Sequence, residues 1–447
     1  MKKVITYGTY DLLHYGHLAL LKHAKALGDY LIVGVTSDAF DRSRGKLNVK
    51  QSTAERIEAV KATGIADKII VEEYEGQKID DIQKYNVDIF TVGSDWVGKF
   101  DYLNNYCKVV YLPRTEGISS TKLRTNENPI IQLGIIGVNS PSARFFEESL
   151  FVNGIHISGA YDPDSAKAQK FCQNYDLKTY LTLNTLFADC DAVFINLPIN
   201  RHQNIIIKSL ESDCHVICDA PAFLSSEDAK KAFEFAAQKN LVLFEGIKTL
   251  FFPAFQHLLL LVRSGLIGNI KNIDVSCSQI PNSIETIQQD PYQGSFYDWG
   301  ATALLPIIKI LGTDYKNCNL YNFEQNHFSY LTCGLLEYPS AIGTFKAGKG
   351  IKTEGSLIIT GEKGYIYVPA PWWKPDYFEV RYEDLRATRK YFYKYEGEGI
   401  RYEILEFLKM INTGMLNNYK YPQEEILKIA QIIEQFSSPN TKAIQKG

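Results

Sequence analysis

Short apolar runs alternate with stretches of helical period through residues 1–127. "KKVITYG" reads as a buried strand, "HLALLKHAKALG" as a helix that stops at Gly28, and "YLIVGVTS" as a second strand. "TAERIEAVKATG" then has the spacing of a helix, "DKIIVEE" of a strand and "KIDDIQKYN" of a helix, and "VDIFTVGSDW" and "KVVYLPRT" close the series as strands. Strands joined by helices imply a parallel sheet that binds ligands at the carboxyl ends of its strands. Polar, turn-rich "RTNENP", ending at Pro129, reads as a linker.

After it the pattern restarts. "IIQLGIIGVNS" is a strand running into a turn, "ARFFEESLFVNG" a helix and "IHISGAYDPD" a strand. "CDAVFINLP" and "CHVICDAP" are strands flanking helical "NRHQNIIIKSLES", which makes residues 128–248 a second nucleotide-fold-like domain. From residue 249 the period changes to two. "IKNIDVSCSQI", "HFSYLTCGLLEY", "AIGTFKAG", "EGSLIITGEKGYIYV" and "YFEVRYED" alternate like strands of an antiparallel sheet. The tail returns to helix in "GIRYEILEFLKMINTG" and "PQEEILKIAQIIEQF". The expected class is therefore α/β: a parallel-sheet domain over 1–127, a Rossmann-like domain over 128–248, and an α+β antiparallel-sheet domain with C-terminal helices over 249–447.

A chain of 447 residues accommodates several such domains. Its hydrophobic content of 45% and charged content of 22% are those of a soluble globular protein, and a net charge of −3 gives no electrostatic case for nucleic acid. Pro253, His257 and Arg263 break the most apolar stretch, "TLFFPAFQHLLLLVRSGLIG", which argues against a membrane span. The N-terminus lacks the apolar core of a signal peptide. Eight scattered cysteines without a CxxC pair read as free thiols of a cytoplasmic chain.

The candidate chemistry starts at "TYDLLHYGH". Gly8 permits a tight turn at the end of the first strand, and Gly16 permits close approach of backbone to a ligand. His14 and His17 stand three apart at the start of the next helix, where free N–H groups and the helix dipole favour anions. Two imidazoles there suit a clamp for phosphate oxygens, and equally two ordinary histidines at a strand–helix turn. A second stretch, "YLPRTEGISSTKLR", places Arg114, Thr115, Ser119, Ser120 and Thr121 between a strand end and a helix start, with Lys122 and Arg124 close by. By itself this is either a second phosphate site or an N-cap beside a solvated basic face.

Together the two stretches resemble the nucleotidylyltransferase superfamily. "MKKVITYGTYDLLHYGH", "VGSDWVGKFDYL" and "VVYLPRTEGISST" are similar to the glycerol-3-phosphate cytidylyltransferase family over residues 1–125. The resemblance implies that a substrate phosphate attacks the α-phosphorus of CTP in line and pyrophosphate leaves. His14, His17 and Lys46 would be catalytic, with Lys50 a rival for the role of Lys46. Thr9, Tyr10, Asp11, Gly16, Arg56, Asp95, Trp96, Arg114, Thr115, Ser119, Ser120 and Thr121 would bind CTP, and Asp11 would help hold Mg²⁺ on the triphosphate. Tyr74, Glu75 and Lys78 would meet the acceptor. Two departures fall there: Gly64 stands where the family carries a basic residue, and "EEYEGQK" replaces its tryptophan ahead of a lysine. The resulting expectation is a homodimer that takes a glycerol, alditol or ketose phosphate as acceptor, with glycerol 3-phosphate not the best of them.

Residues 130–435 resemble the glucose–fructose oxidoreductase/inositol dehydrogenase family through "IIQLGIIGVNSPSARF", "SGAYDPDSAKAQKF", "INLPINRHQNI", "CHVICDAPAFLSSEDA" and "FFPAFQHLLLLVRSGLIGNI". Its functional positions are altered. Of the glycine fingerprint only Gly137 remains, with Asn139 and Ser142 at the later glycine positions. Ala220 stands for the family's catalytic lysine and Thr302 for its histidine or tyrosine, while His202 reads as structural. The expectation is a domain that kept the fold and lost hydride transfer, with NAD(P) not used; a takeover of the acid role by His202 or Tyr297 is the other reading.

Overall fold

In a computed structural model of the chain, the first apolar run forms β1 (Lys3–Gly8), whose Val4 and Ile5 point to opposite faces and are both fully buried. The structure describes residues 1–13, 15–43, 49, 51–74, 76–112, 130–281, 292–395, 397–437 and 441–445. They divide into two compact units, Met1–Ile130 with Phe151–Gly154, and Ile131–Leu150 with Ile155–Gly447.

In the first unit β2 (Tyr30–Thr36), β3 (Lys68–Glu72), β4 (Ile89–Gly93) and β5 (Lys108–Leu112) join β1 in an all-parallel sheet of order β3-β2-β1-β4-β5. Side chains alternate across it, so each face builds its own core. Val4, Leu31, Val33 and Ile89 pack with Leu21 and Ala24 of α1 (Tyr15–Ala26). A short α2 (Asp38–Ser43) follows β2, and α3 (Thr53–Ala62) adds Val60 to the same layer. Ile5, Ile32 and Phe90 pack on the other face with Ile82 of α4 (Gln77–Tyr85). The winding reverses between β1 and β4. The segments leaving their carboxyl ends, after Gly8 and Gly93, therefore diverge and open the crevice in which such sheets hold ligands.

The second unit repeats that logic. β6 (Ile131–Ile136), β7 (Ile155–Tyr161), β8 (Lys178–Thr179), β9 (Ala192–Ile195), β10 (His215–Asp219) and β11 (Leu243–Gly246) form a parallel sheet of order β11-β10-β9-β6-β7-β8, with its reversal between β6 and β9. α5 (Ser140–Ser149) follows β6 directly. The same unit carries a nine-stranded sheet. It comprises β12 (Ile270–Gln279), β13 (Asn317–Gln325), β14 (Phe328–Glu337), β15 (Ile342–Lys349), β16 (Leu357–Gly361), β17 (Tyr365–Val368), β18 (Tyr377–Arg381), β19 (Arg389–Phe392) and β20 (Lys442–Gln445).

The expected antiparallel pairing dominates this sheet, which is mixed because β12–β15 and β13–β20 run parallel. After β12 the chain crosses through α6 (Ser295–Leu311) and the hairpin β13–β14, so β15 returns beside β12 in the same direction. β20 lies beyond the two helical stretches of the tail and is an element that the sequence pattern does not mark. α7 (Ile400–Thr413) and α8 (Gln423–Phe436) are the helices that were expected there.

Candidate active site

The loop leaving β1 is held in an unusual shape. Tyr10 and Leu12 both take left-handed backbone conformations, φ 54° and 48°, which cost a non-glycine residue about 1 kcal/mol or more. Tyr10 nevertheless turns its ring inward, where it is 1% exposed and meets His17 edge to face at 5.4 Å. Gly8 makes this arrangement possible: a Cβ there would stand 3.0 Å from the Tyr10 ring. Gln51 pins the loop from outside. Its N–H donates to Asp11 Oδ1 at 3.0 Å, and its side-chain oxygen accepts the Leu12 N–H at 2.7 Å. Thr9 Oγ1 donates to Asp41 Oδ1 at 3.1 Å.

Arg56 ties these pieces together and corrects its assignment as a direct CTP ligand. It is completely buried, and all five of its N–H groups are committed. Nε donates to Gln51 O at 3.0 Å, Nη1 to Thr9 O at 2.7 Å and Thr36 O at 2.8 Å, and Nη2 to Asp38 and to Thr53 Oγ1 at 3.3 Å. No N–H remains for a phosphate. Burial pushes the Asp38 carboxyl up, but the Thr53 N–H and Arg56 outweigh it and hold the group below its ordinary range. Asp11 is likewise 2% exposed and bound to the Gln51 N–H, so it braces the loop. Among the described residues no group of three or more His, Cys, Asp or Glu side chains is arranged to hold a metal ion.

The other assigned residues divide. Gly16 lies in the first turn of α1, beside His17. Trp96, in the turn after β4, packs on Phe100 at 5.8 Å and belongs to the core of that face. Tyr74 donates its hydroxyl to Asp80 at the surface, at 2.7 Å. Lys78 pairs with buried Glu72 and sits over the Tyr7 ring at 4.9 Å, so its charge is already compensated. His14, Lys46, Lys50, Glu75, Arg114, Thr115, Ser119, Ser120 and Thr121, with the side chain of Asp95, lie outside the described residues.

Similar proteins decide what this scaffold is. The family described as Cytidylyltransferase-like matches residues 5–126. Glycerol-3-phosphate cytidylyltransferase of Bacillus spizizenii is 51% identical over 124 residues, which is 28% of this chain and 95% of that protein. The chain belongs to the glycerol-3-phosphate cytidylyltransferase family. The Staphylococcus aureus member is 48% identical over the same length. This family member is a nucleotidyltransferase, and its relatives of that name account for the first unit alone.

For the rest, the family described as Oxidoreductase family, NAD-binding Rossmann fold matches residues 131–247. The scyllo-inositol 2-dehydrogenase (NADP(+)) IolU of Bacillus subtilis is 24% identical over 320 residues, 68% of this chain and 96% of that protein. The 3-ketoreductase KijD10 of Actinomadura kijaniata, solved with NADP and TDP-benzene, shares the fold with a TM-score of 0.64 at 17% identity, covering 71% of this chain and 99% of that one.

In the second unit the turn after β6 stands where a dinucleotide's pyrophosphate would meet the backbone. Gly137 is required, because at φ 89° a Cβ would meet Asn196 O at 2.3 Å. The remainder of the turn binds itself. Asn139 accepts the Ser142 N–H at 3.1 Å, Asp162 accepts the Val138 N–H at 2.9 Å, Ser142 Oγ donates to Gly137 O at 2.6 Å, and Pro141 has no N–H to give. A pyrophosphate needs those same donors, so these residues do not fit it.

Beyond this turn lies a cavity of about 430 Å³, lined by Asp219, Ala220, Lys248, Trp299, Thr302 and Glu403 among others. The altered lysine and histidine positions thus share one cavity. His202 and Tyr297 stand elsewhere. His202 Nδ1 and Nε2 face the carbonyls of Pro221 and Leu197, and the Tyr297 hydroxyl meets Ser437 Oγ at 2.8 Å. Burial pushes Asp219 up to about 6 and Glu403 up to about 8; the Asp219 charge adds to the second shift and Lys248 opposes it.

Two predictions follow from these networks. Arg56→Lys leaves buried carbonyls without donors, so it should destabilise the first unit by roughly 2–4 kcal/mol in chemical denaturation and slow pyrophosphate release at least about tenfold. Glu403 has a folded pKa raised from 4.5 to about 8, so the native state holds its proton where the unfolded state has lost it. Its contribution is intact below pH 4.5 and lost as pH rises towards 8. Glu403→Gln should therefore match the wild type near pH 4.5 and exceed it by roughly 2–4 kcal/mol at pH 8; equal pH profiles of unfolding would contradict this.

Proposed function

We propose that the first unit transfers the cytidylyl group of CTP to a phosphorylated polyol or sugar, releasing pyrophosphate and a CDP-activated product for capsule or surface polysaccharide synthesis in the cytoplasm. The observation that supports it most is the pinned loop 9–12 at the switch point of a sheet that is half identical in sequence to known cytidylyltransferases. The acceptor's phosphate oxygen attacks the α-phosphorus, and the bond to the leaving pyrophosphate breaks. His14, His17 and Lys46 carry the developing negative charge, which is the electrostatic work such a transfer demands. Arg56 and Asp11 act through the loop they hold. Asp95, Trp96, Arg114, Thr115, Ser119, Ser120 and Thr121 serve the nucleotide. Mg²⁺ would be held on the triphosphate, beside Asp11.

The second unit, on this reading, performs no hydride transfer, because Ala220 and Thr302 donate no proton of the kind lost. A bifunctional cytidylyltransferase and NAD(P)-dependent reductase making a CDP-alditol is the alternative. The shared fold with NADP-bound KijD10 supports that alternative; the closed turn at Asn139 and Ser142 supports ours. The protein is read as a homodimer.

Pyrophosphate release from CTP tests the transferase. His14→Ala and His17→Ala should each lower kcat by roughly 10²-fold. Across a panel of phosphorylated polyols and sugars, glycerol 3-phosphate should not give the highest kcat/KM, since Gly64 and Glu75 depart from the family; its ranking first would overturn that part. With CTP, acceptor and NADH or NADPH together, absorbance of the reduced nicotinamide should stay constant. Steady enzyme-dependent loss would establish the bifunctional alternative.

A further inference from the structure

A lysine stands at the reversal of strand order in the first unit, and the fold around it holds it still. Lys78, in the first turn of α4, sits over the Tyr7 ring at 4.9 Å and over the Phe100 ring at 5.6 Å. Tyr7 belongs to β1 and Phe100 to the segment after β4, so the ammonium lies where those two strands part. Both distances are within the reach of about 6 Å over which a ring face attracts a cation. Glu72, at the end of β3, pairs with the ammonium and itself accepts the Thr36 hydroxyl at 2.8 Å. Among the described residues Glu72 takes one of its three N–H groups, which leaves donors for an anion.

Tyr7 fixes the direction. Its hydroxyl donates to Asp81 Oδ2 at 2.8 Å, and Gln77 Nε2 donates to the same oxygen at 3.0 Å. Asp81 is buried and stands three residues after Lys78 on α4, so ring and helix are tied to each other. Gln77 extends the tie to β3, because its Nε2 also donates to Val71 O at 2.7 Å and its Oε1 accepts the Glu73 N–H at 2.7 Å. Room for the ring comes from Gly34, the partner of Tyr7 across the ladder in β2, where a Cβ would stand 2.2 Å from Tyr7 Cδ1. Glycine inside a strand weakens it, and here that cost is met so that the ring can lie flat against β2. Phe100 is held in turn by Phe90 at 5.2 Å.

The side of approach indicates what the ammonium meets. The loop 9–12 and α1 belong to the other face of β1: Tyr10 packs with Val4 and Leu21, whereas Tyr7 packs with Ile5 and Phe90. In-line transfer needs the attacking and leaving oxygens on opposite sides of the phosphorus. With the triphosphate at the start of α1, a cation that reaches the crevice from the α4 side meets the attacking partner. One ammonium partly offset by Glu72 also suits a phosphate monoester better than a triphosphate. We propose that Tyr7 is a positioning residue for the transfer: anchored through Asp81, its ring aims Lys78 at the acceptor's phosphate, whose oxygen forms the new bond to the α-phosphorus as pyrophosphate leaves on the far side. The inference rests on the transferase reading given above.

Pyrophosphate release by the full-length protein tests it, with CTP and whichever of glycerol 3-phosphate, ribitol 5-phosphate and fructose 6-phosphate gives the highest kcat/KM. Tyr7→Leu removes the ring and should raise KM for the acceptor about tenfold while KM for CTP stays within about twofold. Tyr7→Phe keeps the ring and should stay within about threefold of the wild type for both. Phe100→Leu removes the second ring from another strand end and should raise the acceptor KM in the same sense. In a Lys78→Met background, where the acceptor KM is already raised, adding Tyr7→Leu should change it by less than about twofold, because the two residues act as one. A readout apart from turnover is the rate at which acetic anhydride modifies Lys78, followed by mass spectrometry: saturating acceptor should slow it in the wild type, and Tyr7→Leu should weaken that protection. An acceptor KM unchanged in both Tyr7→Leu and Phe100→Leu, equal rises for CTP and acceptor, full additivity with Lys78→Met, or modification of Lys78 indifferent to the acceptor would overturn this inference alone. A wild type that turns over none of the three acceptors would overturn the transferase reading and this inference with it.

Discussion

One buried guanidinium organises the ligand end of the first unit. Arg56 spends every N–H on the chain itself, on carbonyls at the ends of β1 and β2, on the segment before α3, and on the first residue of α2. A buried charge of this kind is tolerable only when fully bonded, so the segments cannot move apart without exposing it to loss of several bonds at once. The left-handed backbone at Tyr10 and Leu12 persists because that knot, with Gln51, over-determines it. Catalysis by positioning needs this stiffness more than it needs another positive charge.

The two parallel sheets use the same device, a turn after the first strand at a reversal of strand order, with opposite outcomes. In the first unit the turn's polar groups are braced from behind by Gln51 and Arg56. In the second, Asn139 and Ser142 bind the turn's own backbone groups, and burial raises the carboxyls of Asp219 and Glu403 that line the cavity beyond. The same fold feature thus carries different side-chain chemistry in the two units.

Much of this was readable from the chain. The apolar runs of β1, β2, β6 and β9 are short, continuous and bounded by turns, and they mark buried parallel strands without ambiguity of type. Direction is another matter: a period of two in β12 and β15 says nothing about whether they run together. α2 is not legible because the six residues of DAFDRS are too few to show a helical repeat, and β20 because four residues after a helix carry no pattern of their own. A basic residue at a helix start, such as Arg56, reads as a phosphate ligand until the carbonyls of Thr9 and Thr36, far away in sequence, close around it. Glu403 did leave a trace, a carboxylate at helical spacing from Ile400 and Phe407 on a face that is otherwise apolar.

The strand β20 lies along β13, the last strand but one of the nine-stranded sheet. Without it, Tyr321–Glu324 of β13 would present unpaired backbone donors and acceptors at the sheet edge. Four residues, Lys442–Gln445, thereby move the sheet's edge outward from β13, and a fusion or cleavage that pulled them away would leave part of β13 as the pairing edge.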